Sequence, residues 1–200
     1  MKTRFAVCIT VIILSCSTAR SATLTFDEFP SGTQLLDTAY PRISFSSEFQ
    51  TTDAGATWGP AHSGSNVLTL VGDGWSAPAI HFGSYTSYPV DRDHVQSLRA
   101  YFSTQTGVMV GMVAFRSPGF QEVARVVVGA PGETWSNRLV EISTTPELPF
   151  DIVEFYGVNS LDDLHGFYAD DMTITLVPEP SSLLALGAGL GAVGLLRRRK

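Results

Sequence analysis

From residue 23 to residue 177 the chain never runs far without meeting a cluster that reverses it, and this punctuation limits the fold more than any other feature. FPSG, GPAHSGSN, GDG, TQTG, SPG, APGE and TTPELP recur along the body, with Gly and Pro supplying the backbone angles that tight reversals need. No window free of such breakers is long enough for a helix with apolar residues at three-four spacing. Ten short runs lie between the clusters: 23–29, 42–49, 67–71, 79–83, 97–104, 107–115, 122–129, 138–143, 150–158 and 172–177. They are rich in β-branched and aromatic residues and often alternate in polarity, which predicts strands. In 97–104, Leu98, Ala100 and Phe102 share one face and Arg99, Tyr101 and Ser103 the other, so one face can join a core. The run 107–115 is apolar on both faces and predicts a central strand. Many short strands at regular spacing predict an all-β fold, a jelly-roll-like β-sandwich, formed by a single domain over residues 20–176.

The two ends read differently from the body. Residues 1–19 place Lys2 and Arg4 ahead of an apolar run that closes on small residues, the order of an N-terminal signal peptide and too short for a comfortable membrane span. Cleavage after Ala19 puts Ser17 and Ala19 at the two positions that must be small. A lipoprotein signal at Cys16 is the rival, and Leu14 fits that pattern poorly. Cys8 and Cys16 are the two cysteines of the chain, so a cleaved body has neither disulfides nor thiol chemistry.

Without its ends the chain is strongly acidic. Residues 20–176 hold seven arginines, no lysine and eighteen carboxylates, a net charge of −11. Such a body is a poor partner for nucleic acid or anionic lipid and suits an exterior rich in divalent cations.

At the other end, Val177, Pro178, Glu179 and Pro180 precede an apolar run at 181–196 and a terminal cluster of Arg197, Arg198, Arg199 and Lys200. As a helix the run would be roughly 24 Å long, short of the roughly 30 Å hydrocarbon core, and four glycines dilute it. The basic cluster predicts a cytoplasmic tip and an exported body. The prolines keep residues 178–180 out of any strand or helix, extended and accessible. Gly187 and Gly191 form a GxxxG, read here as small-residue dilution rather than a dimer face.

These three ordered parts resemble the PEP-CTERM sorting signal of exopolysaccharide-producing Gram-negative bacteria. The resemblance covers residues 177–200 and implies two partners beyond the secretion machinery: the membrane, held through a single C-terminal helix, and an exosortase acting near the Pro-Glu-Pro step. The body is similar to domains that often precede this signal, through LTFDEFPSGTQL and YPRISFSS in 24–47, HSGSNVL in 62–68 and GFYADDMTITL in 166–176.

Candidate chemistry is sparse. Asp27 and Glu28 lie in the first predicted strand, and Asp170 and Asp171 lead into the last. FYADDMTITL resembles the last strand of carbohydrate-binding jelly rolls, in which a calcium ion commonly ties the first and last strands. The resemblance therefore implies a structural calcium at these four acids, and solvated strand-end acids are the alternative. DRDH at 91–94 and NSLDDLHG at 159–166 read as turn and capping groups, since neither has the twelve-residue calcium-loop pattern. His62 and Ser63 stand side by side but lack the GxSxG elbow, which makes HSGS a tight reversal. His62, His81, His94 and His165 are scattered, with no pair at zinc-site spacing. Trp58, Trp75 and Trp135 fall in or beside Gly/Ser/Pro-rich loops, as do Tyr85 and Tyr88. Exposed, these rings would contact glycans; packed, they would close the ends of the sandwich.

The chain is thus expected to be an exported, non-catalytic protein, released from its membrane helix and joined to the cell surface or the extracellular polysaccharide of a biofilm. The alternatives are a secreted carbohydrate-active enzyme on the same sandwich and a permanently membrane-anchored surface protein.

Overall fold

The computed structural model describes residues 20–35, 39–54, 60–70, 78–84, 91–130, 132–158 and 166–177. Within them the chain forms strands and no helix. One sheet runs β10 (Trp135–Ser143), β7 (Val95–Thr104), β12 (Phe167–Leu176), β4 (Asn66–Leu70) and β3 (Phe49–Asp53), with β1 (Ser21–Leu24) also paired to β12. The other runs β2 (Ile43–Phe45), β5 (Ala79–Ser84), β11 (Ile152–Val158), β8 (Met109–Arg116) and β9 (Gln121–Val128), with β6 (Asp91–Arg92) paired to β5. Every pairing between these strands is antiparallel.

The sheets meet face to face across phenylalanines. Phe155 on β11 stands edge-on to Phe49 on β3, ring centres 5.8 Å apart, and lies 6.4 Å from Phe102 on β7 and 6.3 Å from Phe167 on β12. All four rings are fully buried, each contributing roughly 1.5–3 kcal/mol by leaving water and more through edge-to-face geometry. On β7, Leu98, Ala100 and Phe102 are sealed in the core as the sequence predicts, while on the opposite face Arg99 is exposed, Tyr101 is half-buried and Ser103 is buried. β8 is an inner strand, flanked by β11 and β9. Val110, Met112 and Ala114 face the core, and Gly111 is buried on the opposite side beneath the ring of its cross-strand partner Tyr156.

The structure departs from the predicted strands in four places. The run 42–49 is two strands in different sheets, because Phe49 N–H closes a turn on Ser46 O at 3.2 Å and sends β2 and β3 apart. The first strand ends at Leu24, since Phe26 takes a left-handed backbone (φ 64°) that turns its ring into the core. The last strand begins at Phe167, five residues before the predicted start, because a bulge at Asp171 lets FYAD pair before the second half does. Asp91 and Arg92, expected in a turn, pair with Ser84 and Gly83 as β6.

Candidate functional site

β12 is the middle strand of its sheet and changes neighbours along one edge. Tyr168 and Ala169 pair with β4, whereas residues 172–175 pair with β1, so β1 and β4 lie end to end. Asp170 and Asp171 occupy the seam between them. Asp171 has a left-handed backbone (φ 47°) where the register against β7 also slips. A β-bulge of this kind re-aims side chains.

The loop 61–65, which leads into β4, closes the seam with donors. Ser63 N–H bonds Asp170 Oδ2 at 2.9 Å, and Asp171 N–H bonds Asp170 Oδ1 at 2.7 Å. Ser63 Oγ donates to Asp171 Oδ1 at 2.7 Å, and His62 Nδ1 lies 2.6 Å from Asp171 Oδ2. From the far side, Asp27 Oδ1 accepts Ser65 N–H at 2.8 Å and Asn66 N–H at 3.0 Å. The His62 ring stacks flat on Tyr101 of β7, ring centres 3.4 Å apart and planes 9° apart. Asn137, left-handed (φ 52°) in a second bulge on β10, reaches Ala61 O at 3.4 Å. Three carboxylates thus fasten one five-residue loop to the outer face of the sheet.

Burial pushes the Asp170 carboxyl above its ordinary range, and the Asp171 charge pushes the same way. The N–H groups of Ser63 and Asp171 pull against both. Asp170 is 2% exposed, so its two N–H donors replace water that it has lost. The His62 and Asp171 pair is partly open to solvent and contributes little as an ion pair.

Ser63, His62 and Asp171 are the three residue types of a hydrolytic triad in a different arrangement. Both the hydroxyl and the imidazole turn to the carboxylate, and Ser63 Oγ donates to Asp171 rather than to His62. A triad needs the base to take the proton of the nucleophile, so this geometry positions a loop and activates nothing.

Of the four acids expected at a structural calcium, Asp27, Asp170 and Asp171 converge here. Glu28 accepts instead from Thr25 Oγ1 at 3.2 Å. Calcium takes six to eight oxygens, whereas both oxygens of Asp170 and of Asp171, and Oδ1 of Asp27, face N–H, O–H and imidazole groups. Among the described residues no group of three or more His, Cys, Asp or Glu converges as a metal site does. The residues as placed do not fit the ion.

Trp135 is 2% exposed within the core, and the Arg138 guanidinium lies 4.2 Å from its ring centre. Its ring therefore packs the sandwich and is not a face for sugar, because β10 starts at Trp135 and turns it inward. Trp58, Trp75, Ala19, Cys16, Pro178, Glu179 and Pro180, the run 181–196, and Arg197, Arg198, Arg199 and Lys200 lie outside the described residues. Val177, the last described residue, donates its N–H to His94 O at 2.7 Å. Sequence reasoning missed His62, Ser63, Gly64, Tyr101 and Asn137 as one unit. The available signal was that the three stretches marking the body as familiar hold Asp27, the 62–66 loop and Asp170 with Asp171.

No curated protein sequence matches the chain. Among solved structures, the K2 cleaved adhesin domain of Lys-gingipain is 13% identical with a TM-score of 0.47, covering 78% of this chain and 99% of that one. The CBM22-1 xylan-binding domain of Paenibacillus barcinonensis Xyn10C is 12% identical with a TM-score of 0.44, covering 79% and 94%. A family 29 carbohydrate-binding module is 10% identical with a TM-score of 0.43, covering 79% and 89%. Likenesses this remote say nothing of what the present chain binds. The PEP-CTERM protein-sorting motif matches residues 176–200. The chain is a two-sheet β-sandwich that carries a PEP-CTERM sorting signal at its C-terminal end.

Proposed function

We propose that this protein is a non-catalytic surface or extracellular-matrix component, exported by an N-terminal signal peptide, sorted by an exosortase and associated with extracellular polysaccharide through a sandwich of jelly-roll type. The observation that carries the reading is the sorting motif at 176–200, which begins on the final residue of β12. A folded, acidic body ahead of a processing signal is the form of a cargo. In this reading the PEP step is a substrate, the run 181–196 a transient anchor and the basic tip a cytoplasmic stop. The sandwich then reaches the cell exterior without its tail.

The test is expression of the full chain in an exosortase-bearing host and in the same host lacking that enzyme, followed by fractionation and intact-mass measurement. The expected mature form has lost residues 1–19 and the basic tip in the first host and keeps the tip in the second. A mature species that retains Arg197 to Lys200 in both would overturn the sorting reading and leave a permanently anchored protein.

A further inference from the structure

Phe120 and Leu148 are exposed at one end of the sandwich, and from that end the chain departs toward its sorting motif. Phe120 closes the turn between β8 and β9, and Leu148 lies in the connection from β10 to β11. Val177 N–H bonds His94 O at 2.7 Å just ahead of β7, and the Val95–Phe150 bridge, with reciprocal N–H to O bonds of 2.8 and 3.0 Å, ties β7 to the segment entering β11. Asp151 N–H bonds Phe115 O at 3.1 Å, and Asp151 Oδ1 accepts Ser117 N–H at 2.9 Å, which ties that segment to the β8–β9 turn. The exit of the chain and the two turns are thus linked by hydrogen bonds into one surface.

The core does not explain these two side chains. Phe120 is 61% exposed and Leu148 49%. Phe120 also has a left-handed backbone (φ 50°), which a bulky residue adopts at a cost, and its ring makes an edge approach to Phe115, centres 6.4 Å apart. Strain that gains so little burial points to a use outside the core. Val127, another exposed apolar side chain, lies at the far end of β9. Arg116 closes β8 at the near end, and Arg20 is held there by Leu176 N–H on its carbonyl at 2.9 Å. Apolar side chains on turns with arginines beside them suit the headgroup level of a bilayer, where rings enter and guanidiniums stay in the wet layer. Glu147 beside Leu148 and the net charge of −11 on the body oppose attachment through charge, so the apolar pair has to lead.

Chain length brings lipid to this surface. Residue 181, the first of the apolar run, follows Val177 by four residues, at most about 14 Å of extended chain. With that run in a bilayer, the surface around Val177 is within reach of the headgroups. Two apolar side chains are too few to hold a free protein on a membrane, but a tether this short makes the second contact intramolecular, and a weak one suffices.

Resting on the transient-anchor reading above, we propose that, while the run 181–196 is held in the membrane, this end of the sandwich docks on the bilayer with Phe120 and Leu148 among the headgroups. The contact keeps the Pro-Glu-Pro step level with a membrane-embedded exosortase. It is lost when cutting removes the tether, which frees the body.

The test uses protein from the host lacking the exosortase, so that the tail is retained, reconstituted in phosphatidylcholine vesicles. Phe120→Cys, Leu148→Cys and Val127→Cys are each labelled with an environment-sensitive fluorophore, the parent protein serving as the blank for Cys8 and Cys16. Lipids carrying a nitroxide at headgroup depth should quench the labels at 120 and 148 at least twofold more than the label at 127. Equal quenching at the three positions, in protein that floats with the vesicles, would overturn the docking and leave the anchor reading standing. Protein that does not float with the vesicles would overturn both.

Discussion

A methyl group on Gly64 would coincide with the carboxylate of Asp27. Gly64 turns the 61–65 loop at a left-handed backbone (φ 58°), and the space that a side chain would fill is occupied by the group that accepts Ser65 N–H and Asn66 N–H.

Gly64→Ala should therefore destabilise the body by about 3–4 kcal/mol, combining left-handed strain of about 1–2 kcal/mol with two displaced hydrogen bonds of about 1 kcal/mol each. Urea denaturation measures it. The second half of this expectation is a coupling. In an Asp27→Ala background the carboxylate that the methyl would strike is gone, so the double variant should be milder than the sum of the singles. Strict additivity would mean that backbone strain alone explains the glycine.

Asp170 sets a pH dependence with a definite sign. Its folded carboxyl lies above the ordinary value of 3.8 because it is buried. The folded chain then holds the proton more tightly than the unfolded chain, so the group's contribution is complete below about pH 3.8 and is lost as pH rises through the folded value. Relative to wild type, Asp170→Asn should gain stability as pH is raised from about 4 and level off beyond the folded value. Parallel stability curves for the two proteins from pH 4 to 7 would contradict this.

Both oxygens of Asp170 and of Asp171, and Oδ1 of Asp27, are engaged by protein groups, so adding a chelator should leave the melting temperature of the exported protein unchanged. Calorimetric scans with millimolar calcium and with excess chelator make the comparison. A fall on chelation that Asp171→Asn abolishes would place calcium in the seam after all, with the donors rearranged around it.

Much of the sandwich is legible in the sequence because strand signals are local. The alternation of Leu98, Ala100 and Phe102 with Arg99 and Tyr101 identifies the buried face of β7 without knowledge of its neighbours. The seam is legible only in part. That Asp27 and Asp171 come near each other follows once the first and last strands are taken as partners, as the resemblance to carbohydrate-binding jelly rolls suggests. What lies between them does not follow, because the loop at 61–65 is selected by a pairing change in β12 more than a hundred residues later. The split of 42–49 was hidden for another reason: Ile43, Phe45 and Phe49 keep an even spacing across the polar run Ser46, Ser47 and Glu48, and spacing alone does not report chain reversal.

The place of β12 also governs when the protein can fold. Thr23 and Thr173 share a hydrogen bond of 3.0 Å across 150 residues, and Leu176 N–H reaches back to Arg20 O at 2.9 Å. A chain threaded through a membrane from its N-terminus delivers β1 first and β12 last, yet β12 is the strand that β1, β4 and β7 all need. Until residue 176 has crossed, one whole sheet lacks its middle and the phenylalanine core has no second wall. A chain exported as proposed cannot complete this sheet until residue 176, where the sorting motif begins, has followed the rest across. Long-range pairing of this kind is slow to form, so the order of strands ties completion of the fold to the arrival of the signal.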